Sequence, residues 1–301
     1  MHARVPAPAG DRLSGLPAPD RDLGRTLRLR ALLARLFPAL IVGAAMAVLW
    51  WPALGWLVRT WRVHPYYAHG PLVVLAAGAF LWWRRRTLAE DAPDSVGLVL
   101  VGAGAALHLV SATRAAWPLS AFGLLLALAG LAALCGGIRA LRAAAYPLGL
   151  AALAIPLPLA ERVAPWLASH AAAVSAVLAG AFGADVTRTG AMLVVGDGAL
   201  SVGAPCSGLN SLVALITLSA VLAGVVGGSP HRRAALVAAA VPLALVANEL
   251  RLTSLLWLAD AFGTAFGMAF FHGPASPTAF LLATVALLGV ARMLGCHVRP
   301  A

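Results

Sequence analysis

The sequence predicts an all-α polytopic membrane protein of about eight transmembrane helices, with a small extracytoplasmic helix and a β-hairpin inserted among them. Three observations carry this. Hydrophobic residues make up 61% of the 301, charged residues 11%, and the mean hydropathy is +0.88. A water-soluble fold of that composition lacks the polar side chains to cover itself, whereas a bilayer accepts apolar surface as its normal exterior. Apolar runs recur at about the 20-residue length that crosses the hydrocarbon core. The arginines fall between those runs and divide unequally over alternate connections.

In chain order, residues 1–36 hold four prolines and seven arginines, too long and too interrupted for the n-region of a signal peptide, and read as a cytoplasmic tail. Apolar spans follow near 37–58, 70–83, 97–113, 117–135, 143–159, 207–227, 234–250 and 277–294. Together they make one transmembrane domain over 37–295, and 296–301 form a cytoplasmic end. Between the fifth and sixth spans, residues 160–183 read as a moderately amphipathic helix. "VTRTGAMLVVGDGALSVG" then places β-branched and apolar residues around Gly196, Asp197 and Gly198, a hairpin signal.

With the N-terminus inside, the inner segments carry the seven tail arginines, Arg84 to Arg86, Arg139, Arg142, Arg232, Arg233, Arg292 and Arg299. Six remain outside: Arg59, Arg62, Arg114, Arg162, Arg188 and Arg251. The positive-inside rule therefore sets both termini in the cytoplasm, provided residues 252–271 lie along or dip into the outer face without crossing. The net charge of +11 thus reports topology; no aromatic-interleaved basic platform for nucleic acid is present. All 22 cationic side chains are arginine, which excludes lysine Schiff-base and Walker-type phosphate chemistry. Cys135, Cys206 and Cys296 are too few and too far apart for a zinc cluster or a disulfide framework, and no HExxH is present, so no metal and no cofactor is expected.

Three features land on the outer face of this topology. "GAPCSGLNSL" puts Cys206 at the start of the sixth span, "ANELRLT" puts Asn248, Glu249 and Arg251 at the outer end of the seventh, and "FFHGP" puts His272 just before the eighth. Cysteine is the strongest nucleophile available near neutral pH, but only as thiolate, and an apolar edge disfavours the anion. Arg251 supplies a permanent charge and a fork of donors, and His272 can take the thiol proton and return it to a leaving amine. The backbone N–H groups of Ser207 and Gly208, at a helix N-terminus, would add to the stabilisation of negative charge. The plain reading of Asn248 and Glu249 is that they hold Arg251 by ion pairing. Against each assignment stands a plain alternative: a packing cysteine, a solvated histidine, a snorkelling arginine.

"PCSGLNSL", "VPLALVANELRLT" and "FFHG", in that order and after "IPLPLAERVAPWL", resemble the exosortase/archaeosortase family of membrane cysteine transpeptidases, closer to its bacterial branch. "YYAHGPLV", with His69, is similar to a His-Gly motif of bacterial exosortases, and an interfacial structural role for His69 is an equal reading. The resemblance implies Cys206 as nucleophile, with Arg251 and His272 as its partners. It implies substrates that are exported proteins with a C-terminal sorting signal: a short motif such as Pro-Glu-Pro, a membrane helix and a basic tail. The acyl group would pass to an acceptor at the outer face of the cytoplasmic membrane, where lipid is the surrounding partner. Gly203, Ala204 and Pro205 before Cys206, and Gly273 after His272, depart from positions where acidic residues are common, which leaves subtype and sorting motif open. The competing reading is a non-catalytic transporter or envelope-polymer assembly component with Glu249 and Arg251 along a polar path.

Overall fold

The computed structural model describes residues 37, 40–85, 92–196, 198–203 and 206–297. The expected tail 1–36, Arg86, Asp197, Ala204, Pro205 and Arg299 lie outside the described residues. The chain divides into two units, one up to Trp51 and one from Pro52 onward. The first contains helix α1 (Leu40–Leu49), whose Leu40, Ile41 and Val48 are exposed.

The second unit is mostly helical. It comprises α2 (Trp51–Val63), α3 (Gly70–Trp83), α4 (Val96–Thr113), α5 (Trp117–Ala152), α6 (Leu159–Ala181), α7 (Leu209–Val225), α8 (Pro230–Phe262), α9 (Thr264–Phe270) and α10 (Ser276–Met293). Five helices are long and apolar enough to cross a membrane, or up to six if α1 and α2 count as one span. That count does not reach the eight expected. At 14 and 17 residues, α3 and α7 are shorter than the ~20 residues a full crossing usually takes. The expected spans 117–135 and 143–159 run together as α5, broken where Gly136 and Gly137 leave helical geometry. Gly137 has φ 65°, a conformation that favours glycine. The helix read as lying outside the membrane, α6, is itself long and apolar enough to span over Arg162–Ala181.

Glycine decides how closely α4 and α5 approach. A Cβ on Gly104 would come within 2.5 Å of the Gly123 carbonyl, and one on Gly130 within 2.7 Å of the Gly97 carbonyl. In lipid, where apolar side chains gain nothing by leaving solvent, such backbone proximity is a main source of helix association.

Residues 186–201 form a three-stranded antiparallel sheet, β1 (Val186–Thr189), β2 (Met192–Val195) and β3 (Gly198–Ser201), where a two-stranded hairpin was expected. Gly190, at φ 63°, makes the additional tight turn between β1 and β2. Strand β2 alternates exposed Met192 and Val194 with fully buried Leu193 and Val195. The buried pair packs into a core with Ala172 and Ala179 of α6 and Leu252, Leu255 and Leu256 of α8.

Helix α8 is 33 residues long and does not stop at Leu250. "ANELRLT" therefore lies within the helix and not at its end. The chain turns at Gly263, φ 88°, and α9 packs back on α8, Gly267 fitting tightly against Ala259 and the Leu255 carbonyl. Further along, Ala283, Leu287 and Ala291 of α10 share a core with Leu236, Ala240 and Ala244 of α8. Residues 252–271 thus form a helical out-and-back that keeps α10 antiparallel to α8.

Candidate active site

Gly208 caps the start of α7 in the left-handed region, φ 81°, and a Cβ there would sit 2.7 Å from Asn248 Cγ. Glycine is needed twice over, for its backbone and for the space. That contact seats the Cys206 loop on α8. Asn248, 4% exposed, donates from Nδ2 to the Cys206 carbonyl at 3.2 Å and accepts from Arg251 Nη2 at 2.9 Å. Arg251 Nη1 in turn donates to Ser276 Oγ at 3.1 Å, and its guanidinium lies 4.4 Å over the Phe271 ring.

Residues Phe271–Ala275 form a wide, π-helical turn between α9 and α10. Pro274 has no N–H to donate and Gly273 is non-helical, so the regular ladder cannot continue. The Ser276 hydroxyl donates to the Phe271 carbonyl at 3.1 Å, compensating part of that loss. One chain of hydrogen bonds therefore runs from the Cys206 backbone through Asn248, Arg251 and Ser276 to the turn that carries His272.

Cys206, Arg251 and His272 line a single cavity of about 290 Å³, together with Asn210, Ser211 and Ser276. His272 is exposed and Cys206 half-buried. Burial pushes the Cys206 thiol above its ordinary value, and the Arg251 charge and a hydrogen bond from the Gly203 backbone pull it part of the way back. The resting cavity therefore favours thiol over thiolate near neutral pH.

Ser207 is buried, its Oγ accepting from Leu209 N at 3.3 Å, so its side chain serves the turn. Glu249 does not pair with Arg251. Two positions apart on a helix, side chains point away from each other; Glu249 Oε1 lies 3.3 Å from His170 Nδ1 on α6, while its carbonyl accepts from Ser175 and Thr253. His69 is also separate. It contacts Thr217 Oγ1 at 3.3 Å, about three turns along α7 from Cys206.

Sequence reasoning missed Asn210, Ser211 and Ser276. The first two lie in the opening turn of α7, just after Cys206, and Ser276 follows His272 by four. Among the described residues no group of three or more His, Cys, Asp or Glu side chains could hold a metal ion.

No curated protein and no solved structure gives a significant match to the chain. The family model described as transmembrane exosortase (Exosortase_EpsH) matches residues 61–289, a stretch that includes α3 to α9 and all three cavity residues Cys206, Arg251 and His272. This chain belongs to the transmembrane exosortase family.

Proposed function

We propose that the protein is a membrane-embedded cysteine peptidase or transpeptidase that cuts C-terminal sorting signals of exported proteins at the outer face of the cytoplasmic membrane. The observation that carries the proposal is the single cavity lined by Cys206, Arg251 and His272, held together through Asn248 and Ser276. Because burial keeps the resting thiol protonated, the proton must leave as attack begins. His272 takes it, Cys206 Sγ bonds to the scissile carbonyl carbon, and the carbonyl oxygen becomes an oxyanion that Arg251 faces. As the tetrahedral centre collapses, the C–N bond breaks and His272 returns the proton to the departing amine. A thioester on Cys206 remains. An acceptor, water or a lipid or glycan nucleophile, then attacks that carbonyl carbon while His272 accepts its proton; as the tetrahedral centre collapses the C–S bond breaks, and His272 returns the proton to Cys206 Sγ, regenerating the thiol.

Helix length supports the depth of the site. From Pro230 to Arg251 a helix rises about 32 Å, close to the ~30 Å of the hydrocarbon core. With Arg232 and Arg233 at the inner boundary, Arg251 reaches the outer one, and the remaining turns of α8, with α9 and the sheet, stand beyond it. Glu249 turns toward α6 and not into the cavity, so the geometry lends no support to a polar path shared by Glu249 and Arg251.

The test is processing of an exported reporter with a candidate sorting signal, read by size on a gel, with enzyme levels in the membrane monitored. Cys206→Ala should abolish the cut. Arg251→Lys should lower it at least tenfold, since an ammonium keeps the charge but loses the fork that spans Asn248 and Ser276. A cut that persists in Cys206→Ala overturns the proposal.

A further inference from the structure

Beside the cavity, on the side where α8 meets α9 and α10, lies a second hollow of about 280 Å³. Its base is made of small side chains, Ala247 of α8, Ala275 of the π-helical turn, and Ala279, Ala283 and Ala286 of α10. Leu243, Val246, Leu250 and Leu282 stand along it, the last three more than half exposed. Arg251 belongs to both hollows. It is the one charged residue lining the apolar groove, and its buried Nε has no hydrogen-bond partner among the described residues.

From Leu243 to Ser254 the groove follows α8 for about 17 Å, roughly half the hydrocarbon thickness. We infer that this groove receives the membrane helix of the substrate, so that the residues just before that helix enter the cavity at Cys206. The inference rests on the proposed function. Continuity supplies the argument: the polar cavity and the apolar groove meet at Arg251, and one chain that is extended at one end and helical at the other fills both. An alanine base lets a second backbone approach closely, which is where packing energy between helices in lipid comes from. Arg251, shared by the two hollows, marks where the helical end of such a chain would give way to the extended end. A lipid chain would fill the groove but would have no reason to continue to Cys206.

Site-directed cross-linking tests this. In a chain with Cys135 and Cys206 changed to Ser and Cys296 to Ala, Ala279→Cys and Ala286→Cys should form disulfides with cysteines placed along the reporter helix. Val177→Cys on α6, more exposed than Ala279 but outside the groove, should not. In the otherwise native chain, Ala279→Trp and Ala286→Trp should reduce processing at least fivefold at unchanged membrane levels, while Val285→Trp, exposed but outside the groove, leaves it unchanged. Cross-links as frequent at Val177 as at Ala279, or normal processing by both Trp variants, would sink the groove while native processing leaves the proposed function standing. A native chain that never processes the reporter removes the function and the groove's occupant together.

Discussion

Cys206 is poised between burial, which favours the thiol, and Arg251, which favours the thiolate, and burial is the stronger of the two. The sign gives a pH prediction. Alkylation of Cys206 should rise with pH through a midpoint above that of a free cysteine, because only the anion reacts. Arg251→Gln removes the attraction that stabilises the anion and should move the midpoint higher still. The measurement is the maleimide labelling rate against pH in both chains; a downward shift in the variant would mean that Arg251 does not act on the thiolate.

At the scale of elements, the site depends on how α7 begins and how the α9–α10 junction is shaped. Gly208→Ala places a side chain at φ 81° and drives its Cβ into Asn248. Strain of that kind costs on the order of 1–3 kcal/mol. Since Asn248 bridges the Cys206 loop to Arg251, the variant should both lower the thermal midpoint and reduce reporter processing by tenfold or more. Gly263→Ala, with a similar φ of 88° and nothing within 4 Å of the added Cβ, carries the backbone strain alone. It should lower the midpoint while processing falls by less than in Gly208→Ala. Comparing the two variants by thermal unfolding and reporter cutting separates loss of stability from loss of the Asn248 contact. Equal processing in both would show that the contact does not matter to the site.

For the whole molecule, the proposed topology puts Cys206 at the outer face and Cys135, beside the α5 break, at the inner one. A membrane-impermeant maleimide applied to intact spheroplasts should label Cys206 in a Cys135→Ser, Cys296→Ala chain. With Cys135 the sole cysteine, labelling should appear only after the membrane is opened. The reverse pattern would invert the topology and put the cavity on the wrong side for an exported substrate.

Composition and apolar run length were enough to establish the helical membrane class, because a bilayer imposes the same demand on every span regardless of its neighbours, but not the number of spans. Cys206 was easy to single out as one of three cysteines, whereas Arg251, one of 22 arginines, and His272, one of eight histidines, were singled out by their motifs and their places at the ends of apolar runs. The extent of α8 was not legible. The seventh span was expected to end at 250, but Leu252, Leu255 and Leu256 continue α8 and share a core with β2 and α6, a partnership made between segments far apart in the chain. The sidedness of Glu249 was likewise hidden until α6 supplied His170. Ser276 looked like an ordinary residue at a helix start; only the fold sets its hydroxyl between Arg251 and the Phe271 carbonyl. Local chemistry and hydropathy thus determined what kind of protein this is and which side-chain types are candidates for chemistry. Tertiary packing alone decided which of them meet, because hydrogen bonds such as Asn248 to Cys206, 42 positions apart, depend on how helices are set against one another and not on any pattern within a helix.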